Sequence, residues 1–166
     1  GDGFGDNIDI GPLIDDSGLQ KVKKHLNDAI SLGAKTLTGG NQSNLGGLYF
    51  EPTVLKDVNK EMIIFHEETF GPIAPLIKFK DEDEAIRLAN ETNFGLAGYF
   101  YTQDLNRCWR VAEALEFGMV AINSGILSTE VAPFGGVKES GIGREGASEG
   151  LDEYLETKYL CLGGME

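Results

Sequence analysis

Two short runs hold most of the side chains that could do chemistry in this chain. They are Glu67-Glu68-Thr69-Phe70-Gly71-Pro72 and, farther on, Pro133-Phe134-Gly135-Gly136-Val137-Lys138-Glu139-Ser140-Gly141-Ile142-Gly143-Arg144-Glu145. Glu68 supplies a carboxylate, which when ionised only accepts hydrogen bonds and can take two O–H donors at once, as a vicinal diol offers them. From composition alone Glu68 reads instead as a solvated member of an acidic pair, because surface carboxylates greatly outnumber functional ones. Ser128, in the polar run Leu127-Ser128-Thr129-Glu130, supplies a hydroxyl. A lone hydroxyl is a weak anion ligand and arginine is the usual anchor, yet Arg87, Arg107, Arg110 and Arg144 all fall outside that run. Taken alone, Ser128 is a turn former, Phe134 a core contact and Lys21 a solvated helix lysine.

The remaining reactive types invite weaker readings. Cys108 and Cys161, paired with His25 or His66, suggest a thiol nucleophile. Cys108 lies on an apolar helical stripe, where a free cysteine behaves as a small hydrophobe, and Cys161 sits in a strand-like tail, so both are assigned to packing. Gly141-Ile142-Gly143-Arg144-Glu145-Gly146 fits G-x-G-x-x-G formally, but a Lys/Glu/Ser loop precedes it where that motif needs a strand. No metal-ligand spacing or phosphate loop is present.

The elements that must position these residues follow from periodicity. Leu19, Val22, Leu26, Ala29 and Ile30 recur at helical spacing after the capping candidates Asp15 to Ser17 and stop at Gly33. Lys35 to Thr38 and Tyr49 to Leu55 read as short strands around a Gly/Asn/Ser surface loop, Gly39 to Gly47. From Pro72 onward the pattern is strand (Ile73 to Phe79), helix capped by Asp81 and Glu84 (to about Asn90), and strand (Tyr99 to Tyr101). A second helix capped by Asp104 follows, with Leu105, Cys108, Trp109, Ala112 and Leu115 on one face, and then a third strand (Met119 to Ile122). The expected fold class is α/β: a parallel open sheet with covering helices. Ligands bind beyond the carboxyl ends of such strands, which nominates Asn123 to Gly136. Glu68 precedes its strand and gains nothing from that rule. A final helix, Glu145 to Tyr154, and a strand-like tail, Leu155 to Leu162, complete the chain. A strand appended after the sheet is complete needs an edge to pair with, so residues 1–150 read as one domain and 151–166 as an assembly tail.

Length and charge set outer bounds. With 166 residues and 41% hydrophobic content the chain can build a core without disulfides or metal. Its 14 basic and 27 acidic residues leave a net charge of −13, which repels polyanions and anionic bilayers, so neither nucleic acid nor membrane is an expected partner. No apolar run approaches the roughly 20 residues of a membrane span, and two unpaired cysteines fit a reducing cytoplasm.

The two runs together resemble the aldehyde dehydrogenase superfamily, through its E-E-x-F-G-P and P-F-G-G-x-K-x-S-G-x-G-R-E stretches. The likeness extends from Gly11-Pro12 to the end of the chain. Asn123 to Glu130 and the tail Tyr154 to Cys161 look most like succinate-semialdehyde dehydrogenases. The resemblance implies an enzyme that oxidises an aldehyde on a reactive Cys, passes hydride to NAD or NADP and hydrolyses the thioester with a Glu-activated water. It also implies that the nucleophile, the base and the main dinucleotide-binding domain belong to a part of the family this chain does not match, so the chain reads as a C-terminal third without catalytic residues. By the same resemblance Glu68 accepts from the nicotinamide ribose, Phe70 packs nearby, and Lys21 approaches the adenine-side ribose beside Gly18, where many members have Gln. Ser128 hydrogen-bonds the far carboxylate of succinate semialdehyde, Phe134 lines the aldehyde entry, and the tail joins a homo-oligomer. The rival expectation is a truncated, non-catalytic module that acts in assembly or interaction.

Overall fold

The structure, a computed structural model, describes residues 1–164; Met165 and Glu166, the end of the expected 151–166 tail, lie outside the described residues. The chain divides into two compact units, Gly1–Phe79 and Lys80–Glu166.

The first unit is built on helix α1, Asp16–Ser31. Asp15 caps it, accepting from the Gly18 N–H at 2.8 Å and from the Ser17 hydroxyl at 2.7 Å, and these donors hold its carboxyl below the usual range. Leu19, Val22, Leu26 and Ala29 are buried as their spacing predicts. Ile30, expected on the same face, is 46% exposed, and the wholly buried His25 takes its place. Positions 22, 25, 26 and 29 form one helical stripe, which apolar periodicity cannot register at a histidine. Strand β1 (Lys35–Thr38) pairs antiparallel with β2 (Thr53–Lys56), and β2 pairs parallel with β3 (Ile73–Pro75). The core joins the α1 stripe to Ala34, Phe50, Leu55, Val58, Met62 and Ile64. The short helix α2, Ile63–His66, has no cap of its own; the Asp28 carboxylate reaches from α1 to accept the Ile63 N–H at 2.7 Å.

The second unit holds α3 (Glu82–Asn90), β4 (Phe94–Gly95), β5 (Ala97–Phe100), α4 (Leu105–Ala114), β6 (Met119–Ile122), β7 (Val137–Lys138) and a 3-10 turn, Glu149–Tyr154. Both expected caps form: Asp81 accepts from the Glu84 N–H at 2.8 Å and Asp104 from the Arg107 N–H at 3.1 Å. β5 and β6 are parallel and joined by α4, the expected strand-helix-strand unit.

Several expectations change. In place of one open sheet, the described residues form three ladders, β1-β2-β3, β4-β7 and β5-β6. The strand starting at Ile73 ends at Pro75, which has no N–H to donate. On α4 the inward stripe is Cys108, Val111, Ala112 and Leu115, whereas Leu105 and Trp109 are 71% and 67% exposed. The expected helix from Glu145 begins only at Glu149, because Gly146 and Ala147 hold positive φ values of 68° and 48°. Residues 155–164, expected as a strand-like tail, form no ladder within the chain.

The helices of the second unit are pinned by Glu82 of α3, which accepts from Arg107 Nε and Arg110 Nε of α4, each at 2.7 Å. The Arg110 and Arg107 donors lower its carboxyl to about 2. A carboxyl depressed in the fold stabilises it above the unfolded value near 4.5, and that contribution disappears as pH falls toward 2. Glu82→Gln is therefore expected to melt below the parent at pH 7 and to converge with it near pH 2. Melting curves that run parallel across that interval would remove Glu82 from the acid limb.

Candidate functional site

The first run is held against α1 by side-chain contacts. His25 Nδ1 meets Thr69 Oγ1 at 3.0 Å and His25 Nε2 meets Glu67 Oε2 at 3.3 Å. A Cβ on Gly71 would collide with the Val22 side chain, so only glycine lets the backbone approach α1 this closely. Between these fixed points Glu68 is exposed, and among the described residues no side-chain hydrogen bond or ion pair engages it. Phe70 stands at φ 48° with its residue surface 81% exposed. A bulky residue in the left-handed region is strained, and the surrounding anchors at Thr69 and Gly71 enforce that conformation. The result is an exposed carboxylate two residues before an exposed aromatic ring. Lys21 lies half-buried on α1, one residue before Val22. Its neighbour Gly18 contributes a backbone N–H, spent on Asp15.

The loop nominated by topology leaves β6 at Asn123, which sits at φ 55°. Its side chain brackets Thr102, accepting the N–H at 2.8 Å and donating to the carbonyl at 2.7 Å. Asparagine tolerates this backbone and mimics a strand neighbour, so it fixes where the loop starts. Ser128 follows, exposed, on a stretch without helix or strand. Phe134 is half-buried and exchanges two backbone hydrogen bonds with Glu145, at 2.8 and 2.7 Å.

The polar members of the second run hold that loop's far end. Arg144 donates to the carbonyls of Gly136 and Gly143, both at 2.7 Å. Ser140 Oγ accepts from the Gly95 N–H at 2.9 Å, and Lys138 donates to the Asn90 and Thr92 carbonyls while pairing with Glu116 at 2.6 Å. Periodicity missed these roles; the legible signal is a cation set among glycines, whose bare carbonyls need donors. A cavity of about 530 Å³ adjoins Phe134, Arg144, Glu153 and Tyr154. Ser128 is not among the residues lining that cavity. The run Gly141 to Gly146 is a succession of turns with no strand leading into a helix, as its context predicts.

The thiols are not organised for attack. Cys108 is half-buried on α4, Cys161 is exposed in the tail, and both are free. His66 gives its Nε2 to the Lys60 carbonyl at 2.6 Å, and both nitrogens of His25 are engaged. Among the described residues no group of three His, Cys, Asp or Glu side chains could hold a metal.

A family profile described as aldehyde dehydrogenase family matches residues 1–160. The chain is 58% identical over 165 residues to a mitochondrial succinate-semialdehyde dehydrogenase of Arabidopsis thaliana, covering 99% of this chain and 31% of that one. It is 56% identical over 165 residues to a glutarate-semialdehyde dehydrogenase of Pseudomonas aeruginosa, covering 99% of this chain and 34% of that one. The crystal structure of a succinate-semialdehyde dehydrogenase from Burkholderia pseudomallei superposes with a TM-score of 0.95 at 54% identity, over 98% of this chain and 34% of that one. The chain spans about a third of the length of the curated relatives it matches.

Proposed function

The chain belongs to the aldehyde dehydrogenase family, and from that membership we propose that it forms the C-terminal part of an NAD(P)-dependent enzyme oxidising a semialdehyde with a distal carboxylate, succinate semialdehyde first. The observation that carries this reading is identity of 56–58% across 99% of the chain to enzymes named for two such semialdehydes. In this reading residues 1–150 are part of the catalytic domain and 151–166 an assembly tail in a homo-oligomer. The exposed apolar side chains of Tyr154, Leu155, Tyr159, Leu160 and Leu162 support the tail assignment. The free thiols support a reducing compartment, the cytoplasm.

The residues present fit a dinucleotide at one end. Glu68 has both carboxylate oxygens free to accept a ribose diol, and Phe70 presents an aromatic face next to it. Lys21, on the same unit, would face the adenine-side ribose. When bound, the nicotinamide accepts hydride from the aldehyde carbon. The part assigned to Glu68 is to hold the ribose, and through it the ring, in register with the aldehyde. Ser128 would donate its hydroxyl to the far carboxylate, and Phe134 would line the entry.

Ser128→Ala in the complete enzyme is expected to lower kcat/KM for succinate semialdehyde about tenfold more than for an uncharged aldehyde of similar length. A hydrogen bond to a charged group is worth about 1.5–3 kcal/mol, which sets that ratio. Steady-state competition between the two aldehydes measures it. Equal losses would give Ser128 a role in loop folding and none in carboxylate recognition.

A further inference from the structure

His25 is the one histidine in the first unit's core, with its side chain 0% exposed, and it touches both neighbours of Glu68. The Glu67 carboxylate can only accept, so Nε2 of His25 carries a proton. In the neutral ring Nδ1 is then an acceptor, and the Thr69 hydroxyl donates to it. Glu67 itself is extended, at φ −106° and ψ 131°. Successive side chains along extended backbone point to opposite sides. Securing the side chains of residues 67 and 69 to one buried ring therefore turns Glu68 away from α1 and into the open.

We infer that His25 is a positioning residue: its buried ring clamps Glu67 and Thr69 so that the Glu68 carboxylate is presented in one orientation to the cofactor ribose. The inference rests on the proposed role of Glu68 and adds to it the device that fixes the carboxylate. The simpler possibility is that His25 fills space in the core, a role that would alter stability without passing through Glu68.

The two roles separate in a double-mutant cycle on the complete enzyme, with cofactor concentration varied and melting temperature recorded. His25→Leu keeps comparable bulk and removes both bonds; His25→Gln can restore a donor and an acceptor; Thr69→Val removes one bond from the loop side should His25→Leu not fold. His25→Leu is expected to raise the cofactor KM about fivefold or more, with Thr69→Val changing it in the same direction and His25→Gln recovering most of the loss. In a Glu68→Gln background, His25→Leu and Thr69→Val should leave the cofactor KM unchanged, because the carboxylate they orient is already gone. Multiplying effects in that background, or a lowered melting temperature with unchanged cofactor KM, would overturn the positioning role while Glu68 keeps its own. If Glu68→Gln by itself leaves the kinetics unchanged, the cofactor reading fails and the positioning role fails with it.

Discussion

The 166-residue chain by itself is expected to oxidise no aldehyde above background with either nicotinamide dinucleotide. In the proposed reaction a thiolate attacks the aldehyde carbonyl, and removal of such a nucleophile generally lowers the rate by a factor of about 10³ or more. Neither thiol of the chain is expected to substitute. Cys108 belongs to the inward stripe of α4 beside Val111, Ala112 and Leu115, and Cys161 lies in a tail with no ladder to hold it. Both histidines of the chain have other partners: His25 with Thr69 and Glu67, His66 with the Lys60 carbonyl. A spectrophotometric assay of NAD(P)H formation with succinate semialdehyde tests this directly. Turnover that vanishes in Cys108→Ser or Cys161→Ser would show a nucleophile within the chain and overturn the expectation.

What was legible in the sequence depended on how local the physics is. Asp15, Asp81 and Asp104 cap their helices as their positions predict, since a cap is decided within four residues. The parallel pair β5-β6 followed from one strand-helix-strand pattern of short range. Sheet membership failed at β3, whose neighbour is β2: a run of apolar residues announces a strand but not the strand it will pair with. His25 was lost because a buried polar side chain breaks apolar periodicity, and its partners stand 42 and 44 positions away. In the sequence Arg144 and Ser140 are members of a motif; the carbonyls and the amide they satisfy are defined only once the loop has folded back on β4 and itself. Glu68 was the converse case. From composition it was an ordinary surface carboxylate, and exposure alone agrees with that, so its function has to be decided by substitution.

Glu68→Gln supplies that decision. The carboxylate is exposed and free of intrachain side-chain partners, so exchanging it for an amide of the same shape removes no bond within the fold. Melting should stay within about 0.5 kcal/mol of the parent, the usual range for surface substitutions. If the group accepts both hydroxyls of a ribose, the neutral amide loses charge and one of its two acceptor oxygens. The lost positioning is worth about 1–3 kcal/mol, or roughly a fivefold to hundredfold change in the affected step. The form of the change carries the assignment. A higher cofactor KM at constant kcat would mean uniform binding, whereas equal falls in kcat and kcat/KM would place the bond in hydride transfer alone. Kinetics and melting temperature that both match the parent would leave the Glu67 to Pro72 segment with a structural role on α1 and no part in cofactor recognition.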